Sequence, residues 1–354
     1  MPSFNIVKTN NIKEKSFRVA QLYDQFDLQE NAFTEHFTGD IDLPDEWNVG
    51  VIVGKSGTGK TTIAQSIFKE GISTFTYCKD SVIDDFDEAI GSEKLFSTLS
   101  SVGFNSPVSW LKPYNVLSNG EKMRVDLARA ILQDKEIIVF DEYTSVVDRE
   151  VAKIGSISVQ KAIRKTKKKF IAVSCHYDII EWLEPDWIFD TDEMIYKNTR
   201  GLLRRPNIEL KIYKTKGNWG MFSKYHYLNH SAVSGRDEYT AFVGDKAVAI
   251  IIWMTFPHPK TRIKRVHRLV VLPDYQGIGI GNRLLNYTAR IMQSKTKTVL
   301  ITTSVKGFAK SLQKNNDWVL IRAGRVGKTG SKTSKYKASS MNRNTYSFAY
   351  IGGV

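Results

Sequence analysis

The sequence predicts an α/β protein of two domains, the first on a largely parallel sheet and the second on a mixed one. Four observations carry this. Short β-branched runs (Val49–Val53, Ile137–Phe140, Phe170–Ser174) alternate with amphipathic helical stretches in the first half. Two glycine-rich loops each lie between a strand and a helix, and the charge changes sign near residue 200. At 354 residues the chain exceeds what one small core needs. The expected domains are residues 1–200 and 201–354, with the polar, basic stretch Lys197–Pro206 as linker. The second half reads as a strand at Ile208–Tyr213, a helix around Trp219–Leu228, and a hairpin turning at Gly244-Asp245. A strand near Tyr346–Ile351 closes it.

Composition narrows the class. The longest apolar run, Ala247–Phe256, is far short of the roughly 20 residues a spanning helix needs, so no membrane partner is expected. The N-terminal residues lack the apolar core of a secretion signal. The two cysteines, Cys78 and Cys175, have no metal-like spacing, and a cytoplasmic location is the expectation. The net charge of +14 hides an asymmetry. Residues 1–200 hold 24 Lys and Arg against 31 Asp and Glu, whereas residues 201–354 hold 27 against 6. From Trp318 to Val354 there is no acid, while Arg322, Arg325, Lys328, Lys332, Lys335, Lys337 and Arg343 all fall there. Such a half reads as a partner for a polyanion, DNA or RNA. A solvated surface with a pocket for cofactor phosphates is the plainer alternative. The Gly-, Ser- and Lys-rich run before the last strand reads as an arm that orders on binding.

The run Gly54-Lys55-Ser56-Gly57-Thr58-Gly59-Lys60-Thr61 follows an apolar strand and opens an apolar helix, with Thr62 next. This is G-x-x-x-x-G-K-T in its confirming context. Glycines let backbone N–H groups converge on a β-phosphate, Lys60 adds charge, and the Thr61 hydroxyl is placed to hold Mg²⁺. The strand Ile137–Phe140 runs into Asp141 and Glu142. Asp141 suits the Mg²⁺ shell, and Glu142 suits a water-orienting base for ATP hydrolysis.

Leu117-Ser118-Asn119-Gly120-Glu121 precedes the helix KMRVDLARAIL. Ser118 with Glu121 is a helix capping box, and Leu127, Ala128, Ile131 and Leu132 form a buried stripe. The order of phosphate loop, LSxG-plus-helix, Asp-Glu strand, Ser145-Val146-Val147-Asp148 and a lone His176 after strand FIAVS resembles the ABC family of ATPases. That resemblance implies that Ser118 and Gly120 complete the ATP site of a neighbouring subunit. It makes Asp148 a link between sites and His176 a contact to the γ-phosphate, and so implies an ATP-dependent homodimer. Two features depart from the family. The signature reads LSNGE, and no glutamine loop is evident between Lys60 and Leu117.

The second glycine-rich loop, Gln276-Gly277-Ile278-Gly279-Ile280-Gly281, follows the strand Val266–Leu272 and Pro273-Asp274-Tyr275, and it opens the helix NRLLNYTARIM. Its spacing is Q-x-x-G-x-G, not the Rossmann G-x-G-x-x-G. VVLPDYQGIGIG resembles the pyrophosphate loop of GNAT acyltransferases, where backbone N–H groups at a helix N-terminus hold CoA. The resemblance implies acetyl-CoA or another acyl-CoA as cofactor. It also implies a fourth strand splayed from the fifth (Thr298–Thr303), with Leu269, Val270 and Leu272 bordering the pantetheine arm. The tyrosine that often supplies the acid in that family is not evident in FAKSLQKNNDW. Candidates for acid and base are His226 with Tyr227, in the aromatic run YHYLNH, and His267 on the fourth strand. Each is equally a packing residue by position. The His-Tyr pair also loosely resembles Mom-type phage enzymes that modify adenine in DNA.

Together these readings predict an ATP-hydrolysing, acyl-CoA-dependent N-acyltransferase that modifies a nucleic-acid base, with the ATPase coupling or clamping. The alternative is an acetyltransferase for a protein or small-molecule amine, regulated by the ATPase.

Overall fold

The computed structural model describes residues 3–9, 16–27, 34–204, 207–226, 237–256, 261–325 and 344–352. Two compact units emerge, and each is assembled from two stretches of chain. The first is Met1–Thr76 with Asp126–Pro206, and the second is Tyr77–Val125 with Asn207–Val354. The segment 77–125 therefore packs with the C-terminal residues, although it lies in the acidic half of the sequence.

The first unit holds an antiparallel ribbon of β1 (Ser3–Thr9) and β2 (Thr34–Asp40), with α1 (Phe17–Phe26) between them. Its main sheet comprises β3 (Val49–Val53), β4 (Ile137–Phe140), β5 (Lys169–Ser174), β6 (Trp187–Asp190) and β7 (Ile195–Asn198), in the order β4-β5-β3-β6-β7. The first four in that order run parallel, and only β7 is antiparallel. Helices α2 (Lys60–Ile67), α6 (Arg149–Ile163) and α7 (Ile179–Leu183) connect the strands. Every residue of β3 is buried, as a parallel strand covered on both faces requires. The chain leaves β3 toward β4 on one side and later reaches β6 on the other, so the strand order reverses at β3. Such a reversal opens a crevice at the carboxyl ends of the strands.

Lys197 and Asn198, read from sequence as linker, instead close the sheet as part of β7. Tyr196 explains this, because its half-buried ring lies 6.4 Å from that of the fully buried Trp187. Trp187 also sets a tight constraint on β3. A Cβ built on its sheet neighbour Gly50 would lie 2.1 Å from the indole. Gly50→Ala is accordingly expected to lose about 1–3 kcal/mol by overpacking, measurable as a lowered urea midpoint.

The second unit is a seven-stranded mixed sheet in the order β13-β14-β12-β11-β10-β9-β8. The strands are β8 (Lys211–Thr215), β9 (Asp237–Val243), β10 (Lys246–Phe256), β11 (Ile263–Val271), β12 (Thr298–Thr303), β13 (Trp318–Arg325) and β14 (Asn344–Tyr350). Only β11 and β12 pair in parallel. The expected hairpin turns at Gly244-Asp245. The strand expected at 208–213 begins at Lys211, where pairing with Phe242 of β9 starts. Helix α8 (Trp219–Ser223) is shorter than expected, and Tyr227 and Leu228 lie outside the described residues. It covers one face through Trp219 and Phe222 against Ile250, Ile252 and Val270. Helix α9 (Ile280–Gln293) buries Ile280, Leu284, Leu285, Thr288, Ala289 and Met292, one stripe at helical spacing. Helix α10 (Lys306–Gln313) follows β12. The segment 77–125 adds α3 (Ser92–Ser101), α4 (Pro107–Trp110) and the start of α5 (Asn119–Leu132). Among the described residues no helix is long and apolar enough to cross a membrane.

Candidate nucleotide and acyl-CoA sites

In the first unit the carboxyl edge of the parallel strands gathers the predicted phosphate chemistry. The loop Gly54–Gly59 follows β3, Asp141 and Glu142 follow β4, and His176 follows β5. Gly57 has φ 87°, and a Cβ there would meet nothing within 4 Å, so the loop is open where a phosphate would enter. Lys60 and Thr61 begin α2, whose unsatisfied N–H groups and dipole favour an anion there. Lys60 Nζ donates to the Lys55 carbonyl across the loop. The Thr61 hydroxyl donates to Asp141 Oδ1 at 3.2 Å, which brings two segments distant in sequence to one point. Among the described residues no cluster of three or more His, Cys, Asp and Glu exists that would cage a metal. The hydroxyl–carboxylate pair suits Mg²⁺, which takes few protein ligands and completes its shell with water and phosphate.

Glu142 and Thr144 both have positive φ, 51° and 65°. The chain bends sharply after β4, and buried Tyr143 anchors the bend through its hydroxyl to Ser156 at 3.0 Å. Glu142 is left exposed beyond Asp141. Asp148 caps α6 by accepting from the Val151 N–H at 3.0 Å. His176 is half-buried, and its N–H donates to Ser174 Oγ at 3.1 Å.

Sequence reading missed the brace behind the phosphate loop. Asp192 Oδ1 accepts from the Lys55 N–H at 2.7 Å, and Thr191 and Thr58 share a hydroxyl bond of 2.6 Å. Tyr177 donates its hydroxyl to Asp190 at 3.0 Å and to Asp192 at 3.3 Å. Its partial burial and its bonds to Asp190 push the phenol above its ordinary value. The signal was the acidic cluster after β6, which on sequence alone reads as solvated charge.

Ser118 and Gly120 belong to the second unit. The capping box forms in both directions. The Glu121 N–H donates to Ser118 Oγ at 3.3 Å, and the Ser118 N–H donates to Glu121 Oε2 at 3.1 Å. The other Glu121 oxygen accepts from Ser109 Oγ at 2.8 Å.

In the same unit, β11 leads through a 3₁₀ turn at Pro273–Tyr275 into the second glycine loop. Gly277 and Gly279 have φ 87° and 92°, Ile280 begins α9, and Ile278 lies between them. A Cβ on Gly279 would meet nothing within 4 Å, which leaves open space at the N-terminus of a 14-residue helix. At Gly281 a Cβ would already touch Val271 at 3.3 Å. The Gln276 side chain braces the loop, donating to the Val271 carbonyl at 2.9 Å and accepting from the Asn105 N–H at 2.9 Å.

Strands β11 and β12 pair only from Ile263 to Arg265 against Thr298 to Leu300. Beyond that point the ladder ends, so the later β11 backbone, with Leu269, Val270 and Leu272 on or beside it, is not paired to β12. Val270 and Leu272 face the α8 side, and Leu269 alternates to the other. His267 is the extra residue of a bulge, because Ile252 pairs with Arg268 and Trp253 with Val266. His226 is buried, its ring 5.8 Å from Trp219 on that same α8 side. Tyr227 lies outside the described residues. A carboxylate that sequence reading passed over, Glu238, is also buried here. Its Oε1 accepts from Thr215 Oγ1 at 3.1 Å and from the Asn218 N–H at 3.0 Å.

Comparison with known proteins finds likenesses in both parts of the chain. Residues 236–316 match the model of the acetyltransferase (GNAT) domain. A probable ATP-binding cassette sub-family F member 3 homolog of Encephalitozoon cuniculi is 27% identical over 194 residues, 53% of this chain and 30% of that protein. The ABC multidrug transporter mdr1 of Aspergillus fumigatus is 30% identical over 152 residues, 42% of this chain and 10% of that protein. The chain thus spans under a third of the length of these relatives. Among solved structures, a dimeric bacterial ABC transporter cassette is similar at 16% identity and TM-score 0.40, covering 56% of this chain and 98% of that one. The ribosomal-protein-S18-alanine N-acetyltransferase of Escherichia coli is similar at 14% identity and TM-score 0.31, covering 41% of this chain and 96% of that one. Part of the chain is thus similar to ATP-binding cassette proteins, and residues 236–316 match the model of the GNAT acetyltransferase domain.

Proposed function

We propose that this protein is an acyl-CoA-dependent N-acyltransferase acting on a base in DNA or RNA, and that ATP hydrolysis by its ABC region drives a homodimer to clamp the polymer. The observation behind the acceptor is the charge. The residues that carry the acyl-CoA loop, 201–354, hold 27 Lys and Arg against 6 acids, more than a CoA pocket requires. In the transfer, the amine nitrogen attacks the thioester carbonyl, the new N–C bond replaces the C–S bond, and the leaving thiolate takes a proton. His226, Tyr227 and His267 are the side chains proposed to accept and supply protons there. In the ATPase, Thr61 and Asp141 would hold Mg²⁺, which would supply positive charge to offset that developing on the phosphates. Glu142 orients the attacking water, His176 contacts the γ-phosphate, and Ser118 and Gly120 serve the partner copy's ATP.

Mass spectrometry of nucleosides from cells with and without the intact gene tests the acceptor directly, and a modified base that vanishes with the gene is the expected result. Binding to the polymer should also weaken steeply with salt, by roughly 0.7–0.9 in log–log slope for each phosphate neutralised. Lys328, Lys332, Lys335 and Lys337 lie outside the described residues. Replacing all four with Gln should make that slope shallower while leaving ATP turnover without nucleic acid unchanged. Absent or salt-independent binding to both DNA and RNA would transfer the acceptor to a protein or small-molecule amine.

A further inference from the structure

The acyl-CoA loop is held by residues that the sequence places in the ATPase half. Arg124 is fully buried on α5, six residues beyond Ser118. Its Nη1 donates to the Pro273 carbonyl at 3.0 Å and its Nη2 to the Asp274 carbonyl at 2.8 Å, with Asp274 Oδ1 3.7 Å away. One turn earlier on the same face, Glu121 closes the capping box with Ser118. A second contact comes from Asn105, whose N–H donates to the Gln276 side chain that itself ties down Val271. The approach is close enough that a Cβ on Gly103, at φ 86°, would lie 2.8 Å from the Gln276 carbonyl. Exposed ion pairs from Glu93 to Lys306 and Lys310 add a looser third contact.

A buried guanidinium is costly unless its donors are satisfied, and this one uses a two-pronged grip on consecutive carbonyls at the start of the acyl-CoA loop. The distance along the α5 axis from Asn119 to Arg124 is about 7.5 Å, all of it one hydrogen-bonded helix. The signature end of α5 and the loop it grips therefore move as neighbours.

We propose that Arg124 is a positioning residue for acyl-CoA, and that through it the nucleotide state of the signature loop sets acyl-CoA affinity. This rests on the ATPase and transferase readings above. ATP engaging Ser118 and Gly120 fixes the start of α5 and with it the Arg124 fork. The loop is then already in the conformation that receives the pyrophosphate, and acyl-CoA binds more tightly because less order must be gained on binding. Linkage is reciprocal, so acyl-CoA tightens ATP by the same factor.

The test is calorimetry on the full chain with acetyl-CoA, with and without Mg²⁺ and a non-hydrolysable ATP analogue. The expected result is a Kd for acetyl-CoA lowered about fivefold or more by the analogue, and an equal factor when the order of addition is reversed. Arg124→Met keeps an unbranched buried side chain but removes the fork, so the factor should fall to about one while the analogue still binds. A merely structural arginine would instead weaken acetyl-CoA equally with and without nucleotide. Equal Kd values in the unmodified protein overturn the proposal, as does an Arg124→Met chain that keeps the full factor. Should that variant fail to fold, the two-way measurement on the unmodified protein and Arg124→Lys, which retains charge without the fork, decide it. Absence of acetyl-CoA binding in every state removes the transferase reading along with the inference. Independent binding of both ligands removes the inference alone.

Discussion

Gly279→Asp is expected to abolish acetyl-CoA binding by the full chain, with affinity falling about 100-fold or more, a change of about 2.7 kcal/mol. Gly279 stands immediately before α9 at φ 92°, and the space in front of its Cα is open to 4 Å. An aspartate would fill that space with a carboxylate where backbone N–H groups and the helix dipole favour a ligand's negative charge. Gly217→Asp provides a matched control. It sits at φ 87° in the same unit with open space around it, so it carries the same backbone strain and the same charge. Calorimetry should show near-normal binding for the control and none for Gly279→Asp. Equal affinity in both variants would dismiss the loop as the pyrophosphate site. The full chain is required, because residues 77–125 pack within the same unit as the loop.

Local motifs made both candidate sites legible in the sequence. A phosphate loop, an Asp-Glu strand end and a Q-x-x-G-x-G turn are each contiguous, and each depends on backbone geometry that glycine and a following helix dictate. The strand Ile137–Phe140 stands where β-branched patterning put it, and Thr298–Thr303 where the resemblance to GNAT acyltransferases put it. What escaped was whatever depends on distant chain meeting in space. Arg124 sits in a run, KMRV, that reads as amphipathic helix, and nothing in its neighbours signals that its partners are carbonyls near residue 273. Asp192 likewise becomes a brace only because β6 lies beside β3. The bulge at His267 arises from pairing register, which one strand's sequence does not contain. Element ends also shifted. β8 starts where its partner strand begins to pair, not where its own β-branched run starts.

Glu142→Gln should bind ATP with near-normal affinity yet hydrolyse it about 10²–10⁴-fold more slowly, and it should accumulate as a homodimer. The phosphate loop, Lys60 and the Thr61–Asp141 bond at 3.2 Å all lie outside the change, so the nucleotide cradle stays intact. Glutamine has nearly the shape of glutamate, and at φ 51° it meets the same backbone strain, so the bend after β4 is kept. Only the carboxylate that would orient and deprotonate water is lost. With hydrolysis stalled, an interface that ATP closes should persist. Sedimentation velocity should therefore show a dimer for Glu142→Gln with Mg²⁺ and ATP, and a monomer without nucleotide. Lys60→Ala provides the opposite pattern, losing ATP affinity and dimer together because the charge on the β- and γ-phosphates is gone. Phosphate release separates the two cases. Parent-like turnover by Glu142→Gln would remove Glu142 from the catalytic role and move the search for the base to His176, at the end of the neighbouring strand β5.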